Sequence, residues 1–245
     1  MPNQLLRRVL PQTSASVTST STDFYLPLDG RKISLDFGVR PDSWDNNIVR
    51  DVVAGDEYRM GRYSGDKSVV LDIGAHIGSF STMVKRVFPT SRVIALEAAD
   101  FNLPTLAHNL TFAPDVEAFY NAIGSKDGDL VHVPNTSGQN TGGNSCVASN
   151  KEFASTHTIT LTTLAAALGV SRFDVVKMDC EGGEHDLLAD PASADLLARS
   201  GYVAAEIHGR HRYVYDWFAA HFSSVEFVPH RNPDCSDLAN LYAWN

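Results

Sequence analysis

The stretch VVLDIGAHIGSFS, residues 69–81, constrains this chain more than any other. A short apolar run ends in Asp72, a glycine-bearing turn follows, and an amphipathic segment begins. That order predicts a strand, a tight turn and a helix N-terminus. It is the first unit of a doubly wound α/β sheet, in which ligands sit beyond the carboxyl ends of the strands. Dinucleotide-binding turns use a G-x-G-x-x-G spacing. Here the spacing is Asp72-x-Gly74-x-x-x-Gly78. A carboxylate at the strand end repels a pyrophosphate and suits a ligand that carries positive charge.

The rest of the chain extends this unit. Its 245 residues suit one α/β domain. Apolar strands are expected at 68–71, 92–96, 116–120, 173–178 and 201–207, alternating with helices at 79–88, 102–110, 184–198 and 213–222. Pro191 should break the third of these helices. Residues 225–228 and 238–243 read as two closing strands that pair antiparallel, because only a loop joins them. The expected fold is therefore α/β, a doubly wound and mostly parallel seven-stranded sheet with an antiparallel last strand. Short strands at 130–133 and 158–161 flank a Gly-, Ser- and Asn-rich loop at 135–150. Ahead of the sheet, residues 23–67 suggest a small domain-like extension. Alternating apolar residues flank Asp29-Gly30, a hairpin signal. Trp44, Ile48, Val49, Val52 and Val53 then recur at helical spacing. This extension either covers the ligand mouth or packs on the sheet edge. Residues 1–22, with a serine/threonine tract at 13–22, read as a flexible lead-in. The main domain is expected at 68–245.

Composition removes several classes of function. The net charge is −9. Arg7-Arg8 and Arg210-His211-Arg212 are too short to offset it, so no nucleic-acid partner is expected. Cys146, Cys180 and Cys235 are odd in number and widely spaced, which fits neither a disulfide framework nor a zinc ribbon. A reducing, cytoplasmic setting is the simplest expectation. No apolar run reaches the roughly 20 residues of a membrane span, and the N-terminus lacks the pattern of a signal peptide.

The ends of the predicted strands carry the chemistry. Asp72 ends the first. Glu97 ends the second, 19 residues after Gly78, where an acid commonly accepts ribose hydroxyls. Asn121-Ala122 follows the third, and its amide is placed to read an adenine edge. The ordered set points to a nucleoside-containing ligand. With Asp72 favouring an ammonium and a sulfonium, the best match is S-adenosylmethionine (SAM). The fourth strand leads into Asp179, Glu181, Gly182-Gly183 and Glu184. Acids at a helix start gain from its dipole, but three carboxylates held close disfavour their own ionisation. One stays protonated or a cation sits among them. Lys177 either neutralises the cluster or reaches past the sheet edge. The fifth strand ends at His208, with Glu206 on the same face. Imidazole suits general-base work near neutral pH.

Together these segments resemble the FkbM-type family of SAM-dependent methyltransferases. The carrying residues are VVLDIGAHIGSFS, VIALEAADFNLPTLAHNL, Thr163-Leu164 before a helix, DVVKMDCEGGEHDLL and AEIHG, spanning about residues 56–209. The resemblance implies a Rossmann-like class I methyltransferase fold and O-methylation of small metabolites or sugar-containing compounds. It implies SAM contacts at Asp72, Gly74, Ala75, Gly78, Glu97 and Asn102, with Ala98 beside them, and makes Asp179, Glu181 and Glu184 the motif-bearing acids. His76 stands where asparagine is common in the family, and Gly183 where alanine is common. His76 is placed to contact the methionine carboxylate.

The expected function is transfer of the SAM methyl to an oxygen of a small-molecule acceptor. His208 is the first candidate for the base, and Asp179 or Glu181 the second. A divalent metal on Asp179, Glu181 and His208 is the less favoured alternative. Carboxyl or nitrogen methylation, and a non-catalytic SAM-fold binding protein, are the competing readings. An NAD-dependent oxidoreductase is disfavoured by Asp72 and the missing glycine spacing.

Overall fold

The computed structural model describes residues 5–14, 16–25, 30–62, 68–134, 153–209, 211–230 and 238–245. Its centre is one eight-stranded sheet. In chain order it contains β1 (Arg8–Val9), β4 (Val69–Ile73), β5 (Arg92–Glu97), β6 (Glu117–Tyr120), β10 (Val175–Met178), β11 (Tyr202–His208), β12 (Ser224–Pro229) and β13 (Leu238–Trp244). Their spatial order is β1-β6-β5-β4-β10-β11-β13-β12. Strands β6, β5, β4, β10 and β11 are parallel, and β13 runs antiparallel between β11 and β12. The order reverses at β4, so the ends of β4, β5 and β10 open on the crevice where doubly wound sheets bind ligands. The eighth strand is an addition to the expected seven. β1 pairs antiparallel with β6 at the sheet edge.

Two apolar layers cover the sheet, as a parallel sheet requires. Residues alternate between them along each strand. Val70 and Val93 face one layer with Phe80, Met83, Val84 and Leu106, while Leu71 and Ile94 face the other with Leu164, Leu187, Leu197 and Phe218. Helix α2 (Ser79–Val87) shows why its sequence fits. Phe80, Met83, Val84 and Val87 are buried at helical spacing, and Lys85 and Arg86 lie in the last turn, favourable to the dipole. Pro191 separates α5 (Gly183–Ala189) from α6 (Pro191–Ala198). It sits at the start of α6, and Asp190 caps that helix by accepting from the Ser193 amide.

The first 62 residues hold more structure than a lead-in and a lid. Residues 18–22 are strand, not flexible lead. They form the first part of β2 (Thr18–Tyr25), which pairs antiparallel with β3 (Lys32–Val39). Asp29 of the expected hairpin turn lies outside the described residues, as does the loop at 135–150. A short helix α1 (Asp45–Val49) runs directly into a π-helical turn (Arg50–Ala54). On the far side, β8 (Leu130–Pro134) and β9 (Phe153–Ile159) pair antiparallel, and β9 also pairs with β7 (Ala122–Ile123). The strand expected at 158–161 ends earlier. Thr160 accepts from the Thr163 amide and caps α4 (Leu161–Leu168), so Leu161 is already helical. Among the described residues, no helix is long and apolar enough to cross a membrane.

Candidate functional site

A cavity of about 560 Å³ opens at the carboxyl ends of β4, β5 and β10, within the usual range for small-ligand sites. Gly74, Ala75 and His76 of the turn after β4 form one edge, and Glu97, Ala98, Ala99 and Asn102 after β5 form the next. Asn121 and Ala122, then Asp179–Gly183, then Glu206 complete the ring. Trp44, Ile48, Val52, Glu57 and Tyr58 from the N-terminal segment supply another wall.

The turn is built by contacts between strand ends. The Gly74 and Ala75 amides both donate to the Leu96 carbonyl, at 3.0 and 2.8 Å. A Cβ on Gly74 would stand 1.7 Å from the Asp179 carbonyl oxygen, so only glycine allows the β4 turn to meet the end of β10. Glu97 is buried and braced. One carboxylate oxygen accepts from the His76 amide at 2.6 Å. The other accepts from the Ala99 amide at 2.8 Å and Asn102 Nδ2 at 3.0 Å. Burial raises its pKa despite these donors. A carboxylate offers about four lone-pair positions, so three protein donors leave room for a ligand hydroxyl. The apolar side chains of Ala98, Ala99, Val131 and Val133 line the cavity nearby.

Asp72 is not at the cavity surface. It is wholly buried beneath the turn. Its carboxylate lies 3.1 Å from Lys177 Nζ and accepts from Ser81 Oγ at 2.6 Å. Lys177 also donates to the Ile73 and Gly74 carbonyls. Burial alone lowers an ammonium's pKa, but Asp72 and Asp179 outweigh it and the pKa is raised. The charge that sequence reading aimed at a ligand is thus aimed at a lysine. Gly78 also lies off the cavity, as the left-handed residue (φ 82°) that starts α2.

Asn121 lines the cavity, but its amide is engaged elsewhere. It donates to the carbonyls of Leu5 and His157 and accepts from the Arg7 amide. It anchors the segment leading into β1, which removes the expected reading of an adenine edge by this side chain. His76 is buried, which holds its pKa down to about 3, with Arg40 and Lys177 adding to the effect against Asp45. Its Nε2 faces Arg40 Nη2 at 3.1 Å. Because arginine only donates, Nε2 is the acceptor and the ring is neutral.

Arg40 belongs to a network that no sequence motif announced. Its guanidinium grips the fully buried Asp45 through Nε and Nη2, at 2.9 and 2.8 Å, and Nη1 reaches Asn102 Oδ1 at 2.8 Å. One arginine therefore ties the N-terminal segment to both the turn and the brace of Glu97. The Arg-x₄-Asp spacing is a local signal, but a common one.

The acid cluster divides in two. Glu184 is buried away from the cavity. It accepts from the Gly182 amide at 3.0 Å and from the amide and Nδ1 of His208, at 2.7 and 3.1 Å. Burial opposes ionisation, but these bonds and the His208 charge hold its pKa below the usual range. The cavity-facing group comprises Glu57, Asp179, Glu181 and Glu206. Tyr58 donates its hydroxyl to one Asp179 oxygen at 2.9 Å, and the other Asp179 oxygen, Oδ1, is buried with no hydrogen-bond partner. Burial pushes Glu57 up to about 7, with Asp179 and Asp51 adding to it. Burial and Asp179 push Glu206 up to about 8.

His208 is set among carboxylates. Its Nε2 is 3.3 Å from Glu181 and 3.7 Å from Glu206, and its Nδ1 contacts Glu184. Burial pulls its pKa down, but Glu181 and Glu184 overcome this and push it up to about 11. An imidazolium already carries the proton that a base must accept. His208 also does not line the cavity. Both facts oppose the expected base role of His208, and the cavity holds a carboxylate outside every motif, Glu57. Nothing in the motif spacing singles Glu57 out. Its character comes from burial beside Asp179, which lies more than a hundred residues away in the chain.

The family model for the methyltransferase FkbM domain matches residues 72–227, from Asp72 through β12. No curated protein matches the chain. Among solved structures, a precorrin-6y C5,15-methyltransferase from Geobacter metallireducens GS-15 is similar. It has 15% identity and a TM-score of 0.45 over 75% of this chain and 82% of that one. An rRNA methylase from Streptococcus thermophilus has 10% identity and a TM-score of 0.47 over 80% and 96%. A putative RNA methyltransferase from Pyrococcus horikoshii has 15% identity and a TM-score of 0.41 over 81% and 83%. With the family match covering more than half of its length, the chain belongs to the FkbM methyltransferase domain family.

Proposed function

We propose that this protein transfers the methyl group of SAM to a hydroxyl oxygen of a small polar acceptor. One observation carries the reading. A single cavity joins the glycine turn and the braced Glu97 carboxylate to a wall of carboxylates from β10, β11 and the N-terminal segment. Bound SAM supplies a methyl carbon on a sulfonium that leaves as a neutral thioether. The residues present fit it. Glu97 would accept a hydrogen bond from a ribose hydroxyl, the small side chains of Ala98 and Ala99 and the valines of β8 would give the base an apolar face, and backbone at 74–76 would hold the methionine end. His76 would meet that end as a neutral ring, with Asp179 beside it.

The chain's own tasks are alignment and proton removal. Holding the acceptor oxygen in line with the methyl carbon supplies much of the acceleration. Glu57, with a proton affinity near neutrality, takes the hydroxyl proton. Four carboxylates around the acceptor end oppose a carboxylate or phosphate acceptor. With the net charge of −9, this supports a small molecule over nucleic acid. A cationic amine is the second reading, favoured by the same four acids.

Two measurements test the proposal. Incubation with isotopically methyl-labelled SAM and hydroxylated metabolite pools, followed by mass spectrometry, should yield an oxygen-linked labelled methyl product. Calorimetry should show binding of SAM and S-adenosylhomocysteine but not NAD. In the same titration, Glu97→Ala should weaken SAM binding at least about tenfold, since a hydrogen bond to a charged group is worth about 1.5–3 kcal/mol. Unchanged affinity in a folded Glu97→Ala protein would remove Glu97 from the ribose site.

A further inference from the structure

Asp179, Glu206 and His208 reach the same point from two adjacent strand ends. Each offers one ligand atom, and the three atoms lie within 4.8 Å of one another. In a coordination sphere with ligands at about 2.3–2.6 Å, opposite ligands stand about 4.6–5.2 Å apart. The observed spread needs only a small contraction for a smaller ion. Asp179 presents a polar atom in need of a partner, and His208 a ring nitrogen surrounded by acids. Asp179 Oδ1 is buried without a hydrogen bond, and His208 Nε2 has only carboxylate neighbours, Glu181 at 3.3 Å and Glu206 at 3.7 Å. Two carboxylates here face the cavity, and Glu57 and Glu181 stand in the same wall. Lys177, the nearby ammonium, is already paired with Asp72.

We propose that Asp179, Glu206 and His208 bind one divalent cation at the acceptor end of the cavity. This differs from the set expected from sequence, with Glu206 in place of Glu181. Both glutamates line the cavity and Glu181 lies nearer His208 Nε2, but it is Glu206 whose carboxylate converges with both Asp179 and His208. Carboxylates suit Mg²⁺, Ca²⁺ and Mn²⁺, and imidazole suits the later transition metals. The mixed set makes Mn²⁺ the first probe. Cation binding displaces the proton held by His208, because an imidazole ligand must be neutral.

The role assigned to the cation rests on the methyltransferase reading above. A cation at this point coordinates the acceptor hydroxyl and lowers its pKa. The proton passes to Glu57. The oxygen forms its bond to the methyl carbon as the carbon–sulfur bond breaks, and that electron pair stays on sulfur. The cation is neither oxidised nor consumed. It also neutralises the carboxylate wall and selects acceptors with oxygens able to chelate.

The test uses the full chain freed of metal by chelation. MnCl₂ titration, followed by the electron paramagnetic resonance of free Mn²⁺ and by calorimetry, should show one saturable site. Asp179→Asn and Glu206→Gln should each weaken it at least about tenfold, the scale on which ligand-sphere changes act. Circular dichroism verifies that both variants are folded. Glu181→Gln should keep the site. No saturable binding of Mn²⁺, Mg²⁺, Ca²⁺ or Zn²⁺ by the wild-type chain, with or without SAM, would overturn the proposal. So would affinities unchanged in both folded ligand variants. SAM titration of the chelated chain separates the two ideas. SAM bound without any metal site sinks only the cation, whereas a metal site without SAM binding sinks the methyltransferase reading.

Discussion

Replacing Glu57 by glutamine is expected to lower turnover by about 10²–10⁴-fold, the usual contribution of a general base, while SAM affinity stays close to wild type. Glutamine keeps the size of the side chain and removes its ability to take a proton. Glu57 lies in the cavity wall, outside the contacts that brace Glu97. Its burial and the charges of Asp179 and Asp51 give it a proton affinity near neutral pH. Without a cation in the wall, the wild-type rate should rise as pH is raised through about 7, as the carboxylate form becomes populated, and a cation on Asp179 shifts that limb to lower pH. That limb should disappear in Glu57→Gln. A variant with full turnover and an unchanged pH profile would show that another group, or solvent, removes the proton. His208 does not rescue such a variant, because its two ring nitrogens are already held among Glu181, Glu184 and Glu206.

Local relations along the chain are legible in the sequence, and distant ones are not. The strand–turn–helix unit at 69–81 is legible because period, turn residue and helix start all fall within one short window. Pro191 and Asp190 announce the break between α5 and α6 for the same reason. Residues 18–22, TSTST, form strand against the expectation from composition. Serine and threonine suggest a flexible tract, yet threonine at every second position is β-branched and suits a strand. Pairing with β3 decides between the two. The edge strand β1 is only two residues long and carries no periodic signal.

The expected site residues differ in the direction their side chains take. Glu97 ends β5 and lines the cavity, where its three donors come from nearby backbone and from Asn102. Asp72 also ends its strand, but its direction is set by register. Lys177 stands directly opposite Asp72 in the β4–β10 pairing, so both side chains leave the sheet on the same face. That relation spans more than a hundred residues and no motif reports it. The same holds for Asn121, drawn away by Leu5, Arg7 and His157, and for His208, whose proton affinity is set by acids on another element. Residue type and position on a strand end were legible. The partner that fixes each group's charge and aim was not.

Asp72→Asn is expected to destabilise the protein by about 3 kcal/mol, at the lower end of the cost of breaking a buried ion pair. The Asp72 carboxylate is wholly buried, and the Lys177 side chain is only 5% exposed. Asparagine keeps the shape and an acceptor for Ser81, but leaves Lys177 with the Ile73 and Gly74 carbonyls, the Tyr58 ring and the more weakly felt charge of Asp179. An ammonium held there without its paired carboxylate either stays charged at a desolvation cost or gives up its proton. For a chain of this size, about 3 kcal/mol lowers Tm by about 6–12 °C. Thermal and urea unfolding measure it directly. Combining Asp72→Asn with Lys177→Met should cost less than the sum of the two single changes, because the second removes the stranded charge. Below its unfolding range, Asp72→Asn should still bind SAM with near wild-type affinity. The opposite result, a fully stable Asp72→Asn protein that no longer binds SAM, would return Asp72 to the ligand. It would show that Lys177 does not hold it beneath the turn when the cofactor is bound.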